Sequence, residues 1–224
     1  MRFQQISLEQ GLPQSVVTKI IQDSDGFIWF ATQDGLARFD GYDFIYIKHD
    51  PLDSTSLSDN YVWTMFEDNE RNLWVGTNGG GLDCLNLDSR EITHYRQDPN
   101  SARIGANNVI AVIRDRHRTI WVGSADGLDT LDVETGKFTK ILDTRKYGKT
   151  SQANVNAICE TREGTIYAST FGTGVFRFKR PNLELERVAP SRYRLMARRS
   201  SLGRGIVEAI ACVTSLSGMS TRTV

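Results

Sequence analysis

Through residue 180, apolar and polar positions alternate in short runs closed by Gly, Asp or Asn, with no sustained helical spacing between them. The first such group is Val16–Asp23, Gly26–Thr32, Gly35–Phe39 and Phe44–Ile47, which reads as four antiparallel strands A to D joined by tight turns. A second group gives Tyr61–Asp68, Leu73–Thr77, Leu82–Leu87 and Ile92–Tyr95, and a third gives Asn108–Asp115, Ile120–Ser124, Leu128–Val133 and Phe138–Ile141. A fourth begins in the same way but offers only Leu183–Val188 for its strand D, after Arg180-Pro181. From Pro190 onward the pattern is lost.

The groups are copies of one unit. Trp29, Trp74, Trp121 and Tyr167 recur at intervals of 45, 47 and 46 residues, each inside strand B. Six positions before each of these anchors stands the last residue of strand A, namely Asp23, Asp68, Asp115 and Thr161. That fixed spacing admits no insertion, whereas the B–C turns vary and keep only their glycines. A repeat of roughly 40–50 residues with four strands is a β-propeller blade, whose faces are buried against neighbouring blades. The expected fold is therefore all-β: four four-stranded antiparallel sheets in a partial ring, followed by an irregular C-terminal tail. The expected blades are 8–48, 57–96, 104–142 and 151–180, with a non-repeat tail over 181–224.

Composition changes the picture mainly at the tail. The whole chain has 27 basic and 27 acidic residues, 39% hydrophobic and 24% charged, which argues against a general electrostatic grip on nucleic acid or anionic membrane. Residues 181–224, however, hold seven Arg and three acids, which leaves 20 basic and 24 acidic residues for 1–180. Cys84, Cys159 and Cys212 are odd in number and far apart, without metal-ligand spacing, and His49, His94 and His117 fall in different blade positions. No metal, cofactor or catalytic triad can be assembled from them. The N-terminus lacks the apolar core of a signal peptide.

Ser58-Asp59-Asn60-Tyr61-Val62, Leu73-Trp74-Val75-Gly76-Thr77 and Gly79-Gly80-Gly81-Leu82 together resemble the two-component-regulator propeller repeat of bacterial sensor proteins. Gly11 to Gly41 resembles its usual first copy, Asn107 to Phe138 matches well, and the fourth copy departs with Tyr167 for Trp and Ser169 for Gly. The resemblance implies a ligand-sensing module on the periplasmic side. Such a module is non-enzymatic itself and feeds a separate histidine kinase or diguanylate cyclase through a membrane span. It also implies rings of about seven blades, so the chain is expected to be an arc of a larger propeller. The tail Arg198 to Arg204 then reads like a shifted frame or an early stop. A complete chain would instead be cytoplasmic.

Ligands of propellers collect at the loop-lined end where the B–C and D–A loops emerge. Those loops carry Asp34, Asn60, Tyr61, Trp63, Asn78, Asn107, Asp126 and Asn154, polar groups that could hydrogen-bond a sugar while Tyr61 or Trp63 stacks on it. Oligosaccharide recognition is a use of the family. Asn and Asp at turns also satisfy local backbone groups, which is their commoner role. The anchors Trp29, Trp74, Trp121 and Tyr167 recur in every copy and are read as packing elements, not as a ligand platform. The expected partners are an oligosaccharide or other small extracellular ligand, and further copies of the chain through unpaired blade faces. A stand-alone interaction scaffold and a carbohydrate-active propeller enzyme are the alternatives.

Overall fold

The structure is a computed structural model that describes residues 7–96, 107–147, 154–171, 173–179 and 183–188. The tail expected over 181–224 lies outside them except for Leu183–Val188, as do Cys212 and Arg198 to Arg204. Among the described residues there are four four-stranded antiparallel sheets, each an up-and-down meander in chain order. Sheet I contains β1 (Val17–Gln22), β2 (Ile28–Thr32), β3 (Gly35–Phe39) and β4 (Phe44–Ile47). Sheet II contains β5 (Val62–Glu67), β6 (Asn72–Thr77), β7 (Leu82–Asn86) and β8 (Ile92–Tyr95). Sheet III contains β9 (Val109–Arg114), β10 (Ile120–Ser124), β11 (Gly127–Asp132) and β12 (Lys137–Asp143). Sheet IV contains β13 (Val155–Glu160), β14 (Ile166–Thr170), β15 (Gly174–Lys179) and β16 (Glu184–Val188).

The blade boundary expected at residue 180 gives way to β16. This strand pairs with β15 in regular register, setting Val188 opposite Val175 and Leu185 opposite Phe178. Glu186 stands opposite Arg177 and ion-pairs with it, so a mostly exposed strand is still specified by its cross-strand partners. The alternation in Leu183–Val188 was enough to form the edge.

The described residues divide into two compact units between Val112 and Ile113. In the first, one face of sheet I supplies Trp29, Ala31 and Leu36, which cluster with Val62, Met65, Leu73, Val75 and Leu85 of sheet II. Each fully buried Leu, Val or Met of this cluster contributes about 1.5–3 kcal/mol. The opposite face of sheet I gathers Phe30 and Ala37 under Leu12, with Phe39 and Phe44 rings 4.7 Å apart. In the second unit, Trp121 of sheet III and Phe178 of sheet IV meet with ring centroids 5.9 Å apart.

The six-residue spacing has a direct cause. The indole N–H of Trp29 donates to Asp23 at 2.7 Å, that of Trp74 to Asp68 at 2.9 Å and that of Trp121 to Asp115 at 2.9 Å. The second oxygen of each carboxylate accepts two backbone N–H groups of the A–B turn, those of Asp25 and Phe27 in sheet I. The same pattern recurs at Glu70 and Asn72 and at His117 and Thr119. In sheet IV the anchor is Tyr167, which has no indole, and the acceptor of the turn N–H groups is the hydroxyl of Thr161. Anchor and acceptor thus differ together in this copy.

Candidate loop-end site

Strand A opens with a β-bulge in sheets I, II and IV. The register slips between Val17 and Lys19, between Val62 and Thr64, and between Val155 and Ala157. The extra residue is Thr18, Trp63 and Asn156 respectively. A bulge leaves its extra residue out of the ladder and re-aims the side chain. Thr18 uses that freedom structurally, its hydroxyl lying 3.1 Å from the Ala31 carbonyl and 2.6 Å from that of Val62. Trp63 uses it differently. Its half-buried indole N–H donates to the Asn78 side-chain oxygen at 3.2 Å, and its ring lies 4.5 Å from the Tyr61 ring at 37°. The Tyr61 hydroxyl accepts from the Gln33 amide at 3.0 Å. Gln33, Tyr61, Trp63 and Asn78 thus form one continuous group drawn from a B–C turn of each of two sheets and one strand-A start.

Backbone geometry holds this group in place. Asn78 N–H donates to the Tyr61 carbonyl at 2.9 Å, and Asn78 forms a bridge with Asn108. The Asn107 carbonyl accepts the N–H groups of Gly79 and Gly81, both at 3.0 Å. Tyr61 N–H is tied to Asp59 at 2.7 Å, a local Asx turn that fixes the chain entering β5. With these bonds made, the Asn78 amide hydrogens and the Tyr61 hydroxyl proton remain to donate, and the tilted ring pair offers an apolar surface. That combination suits a flat, hydroxyl-bearing ligand.

The remaining expected residues are distributed. Asp34 ion-pairs with Lys48 at 2.6 Å, and the Asn60 side chain accepts from the His49 backbone N–H at 2.8 Å while its carbonyl accepts from Gly35. Both therefore carry structural bonds. Asp126 and Asn154 belong to the second unit, where Asp126 N–H donates to Ser124 at 3.3 Å and the Asn154 carbonyl accepts from Phe171 at 2.9 Å. Gln33 joins the group without being among the expected residues. Its place beside Asp34 in a loop already singled out was the available signal.

One acid–base cluster does assemble, from residues that spacing alone would not connect. Ser58, Asp83 and His94 come together, with His94 Nδ1 2.7 Å from the Asp83 carboxylate and Ser58 N–H donating to it at 2.8 Å. The Ser58 hydroxyl also donates to Asp83, and His94 Nε2 faces the Ser54 carbonyl at 3.0 Å. A nucleophile relay needs the hydroxyl on the histidine nitrogen remote from the acid. Here serine and histidine share one carboxylate, and Asp83 is wholly buried. The cluster fastens the chain entering sheet II to β7 and β8. Among the described residues, no group of three or more His, Cys, Asp or Glu could hold a metal ion, and no helix is long and apolar enough to cross a membrane.

Residues 11–34 and 56–79 match the family model of the two component regulator propeller. A histidine kinase of Formosa agariphila is 45% identical over 56 residues, which is 25% of this chain and 4% of that protein. The extracellular domain of a hybrid two-component system from B. thetaiotaomicron superposes with a TM-score of 0.72 at 25% identity, over 83% of this chain and 26% of that one. The extracellular domain of a one-component system from the same organism gives 0.66 at 21% identity, over 84% and 28%. The chain thus spans only a small part of each of these proteins. Virginiamycin B lyase from Staphylococcus aureus, at 16% identity and a TM-score of 0.59 over 79% of this chain and 56% of that one, shares the fold. The second match coincides with the stretch that carries Tyr61, Trp63 and Asn78. Two segments of the chain, 11–34 and 56–79, therefore match two-component regulator propeller repeats, and its four sheets share their fold with the extracellular domains of two-component systems.

Proposed function

We propose that the blades are the ligand-sensing part of a bacterial signalling receptor, working on the periplasmic side and without catalysis of their own. The occupant of the loop end is a neutral oligosaccharide or a similar small extracellular ligand. The observation that carries this reading is the Tyr61–Trp63 ring pair on the strand-A bulge, joined to Asn78 and Gln33. The ring pair offers an apolar face and the amide hydrogens beside it offer donors, which together match the faces and hydroxyls of a sugar, and binding there would bias an output domain such as a histidine kinase or diguanylate cyclase.

The test is a screen of neutral oligosaccharides by calorimetry against the full chain. A ligand found this way should lose affinity by roughly tenfold or more in Trp63→Ala, the scale of a buried aromatic contact. Binding that Trp63→Ala leaves unchanged would place the sugar elsewhere and overturn the assignment.

Self-association belongs to the same proposal. Ile20, Phe30, Ala37 and Tyr46 form one cross-strand row on the face of sheet I turned away from sheet II. Ile20 and Tyr46 are 56% and 46% exposed there, an apolar surface suited to a second copy of the chain.

A further inference from the structure

Sheets I and II part at their outer strands and leave a cleft of about 370 Å³. That falls within the roughly 300–1,000 Å³ typical of small-molecule sites. One wall is a cross-strand row of sheet I in which Trp29 stands opposite Arg38 and Arg38 opposite Ile45. The facing wall is the Leu85–Ile92 pair of sheet II. Arg90, exposed at the β7–β8 turn with φ 64°, lines the mouth.

The equivalent row of sheet IV treats its arginine differently. In sheet IV the same row reads Tyr167, Arg177, Glu186, and Arg177 is neutralised by the carboxylate beside it. In sheet I the outer member is Ile45, so the guanidinium of Arg38 has an aliphatic neighbour where Arg177 has an acid. It lies instead over the Phe27 ring, 4.4 Å from the centroid, with the Trp29 ring at 5.9 Å. Among the described residues, neither Arg38 nor Arg90 has an ion-pair partner. The other charged groups at the cleft are already engaged. Lys48 pairs with Asp34 at 2.6 Å, and Asp53 accepts the Thr55 hydroxyl at 2.6 Å and its N–H at 2.8 Å. The Asp25 and Asp40 carboxylates feel the charge of Arg38 without pairing with it directly. The cleft therefore combines apolar walls with two guanidinium groups whose donors are not taken up by an ion pair, and Arg geometry matches a carboxylate bidentately.

We infer that this cleft binds an organic carboxylate carried on a flat apolar body, with Arg38 holding the carboxylate, Arg90 attracting it at the mouth, and the Ile45 and Leu85–Ile92 walls enclosing the body. The site shares no residue with the loop-end group, so it stands or falls separately from the sugar reading.

Calorimetry on the full chain tests it with three probes. 2-Naphthoate carries both charge and flat body, 2-naphthamide the body alone, and acetate the charge alone. 2-Naphthoate should bind saturably, the amide should bind at least roughly tenfold more weakly for loss of charge-assisted hydrogen bonds, and acetate should give no saturable signal. Arg38→Met, which keeps the packed stem, should lower naphthoate affinity by a similar factor. Ile45→Glu rebuilds the neutralised row of sheet IV at an exposed position and should abolish binding with an unchanged melting temperature, which keeps the test decisive if Arg38→Met misfolds. Failure of naphthoate to bind the full chain, equal binding of the amide, or naphthoate affinity retained in Ile45→Glu would each overturn the inference.

Discussion

At the scale of single residues, each of Asp23, Asp68 and Asp115 serves an indole with one oxygen and a turn with the other. Removing such a carboxylate leaves several buried or half-buried donors without an acceptor, and a buried orphan costs about 1–3 kcal/mol. Asp68→Ala should therefore lower unfolding free energy by about 3 kcal/mol, read from urea denaturation with unchanged slope. Sheet IV shows how the two positions compensate, since Thr161 and Tyr167 replace the pair together. The double substitution D68T/W74Y should accordingly be less damaging than the sum of its single changes, by about 1 kcal/mol in a double-mutant cycle. Strict additivity would mean that the indole bond matters less than its geometry implies. The spacing of anchor and acid was legible in the sequence because both ends lie within one hairpin. The Ser58–Asp83–His94 cluster was not, because its members lie in a loop and two different strands whose register only the folded sheet defines.

At the scale of elements, turns set what the strands can do. A Cβ on Gly81 would come within 2.5 Å of the Tyr95 carbonyl at φ 96°, so Gly81→Ala should cost more than about 1 kcal/mol in urea unfolding. The A–B turns carry the links between sheets within each unit. Glu67 accepts from Ser24 at 2.7 Å, and at the equivalent place Glu160 accepts from Arg116 at 2.6 Å. Arg71 reaches Asp25 at 2.6 Å and holds its carboxyl below the ordinary 3.8. A depressed carboxyl pKa stabilises the fold above its ordinary value, and that contribution is lost as pH falls through the lowered one. Stability measured from neutral pH downward should therefore decline below pH 3.8, and Arg71→Met should remove part of that decline. The effect should be small and shrink with added salt, since the pair faces solvent. The strands themselves were readable from alternation to within a residue or two. The bulges at Thr18, Trp63 and Asn156 were not, because a slip in register leaves no mark in hydrophobicity.

At the scale of the molecule, protection should follow burial across the sheets. Amides of β10, buried along its whole length, should exchange slowest, and those of β16, mostly exposed, fastest. Ile20 and Tyr46, on the outward row of sheet I, should make the chain concentration-dependent in sedimentation velocity, and Ile20→Asp should reduce that dependence. A monomer at every concentration would remove that part of the proposal. The repeat and its all-β character could be read from the sequence since every copy restates them. The loop-end group could be read only in part, because Gln33 and Tyr61 come from different copies and meet through folding. The bulge at the start of strand A bears on how such blades diversify. Ladder pairing there is made by backbone and skips one residue, so that residue can change without altering the pairing of the strands beside it. Thr18, Trp63 and Asn156 already place a hydroxyl, an indole and an amide in that slot within one chain. Gene duplication and drift can thus change the chemistry presented at the loop end one blade at a time, while the strand pairing that builds each blade stays as it is.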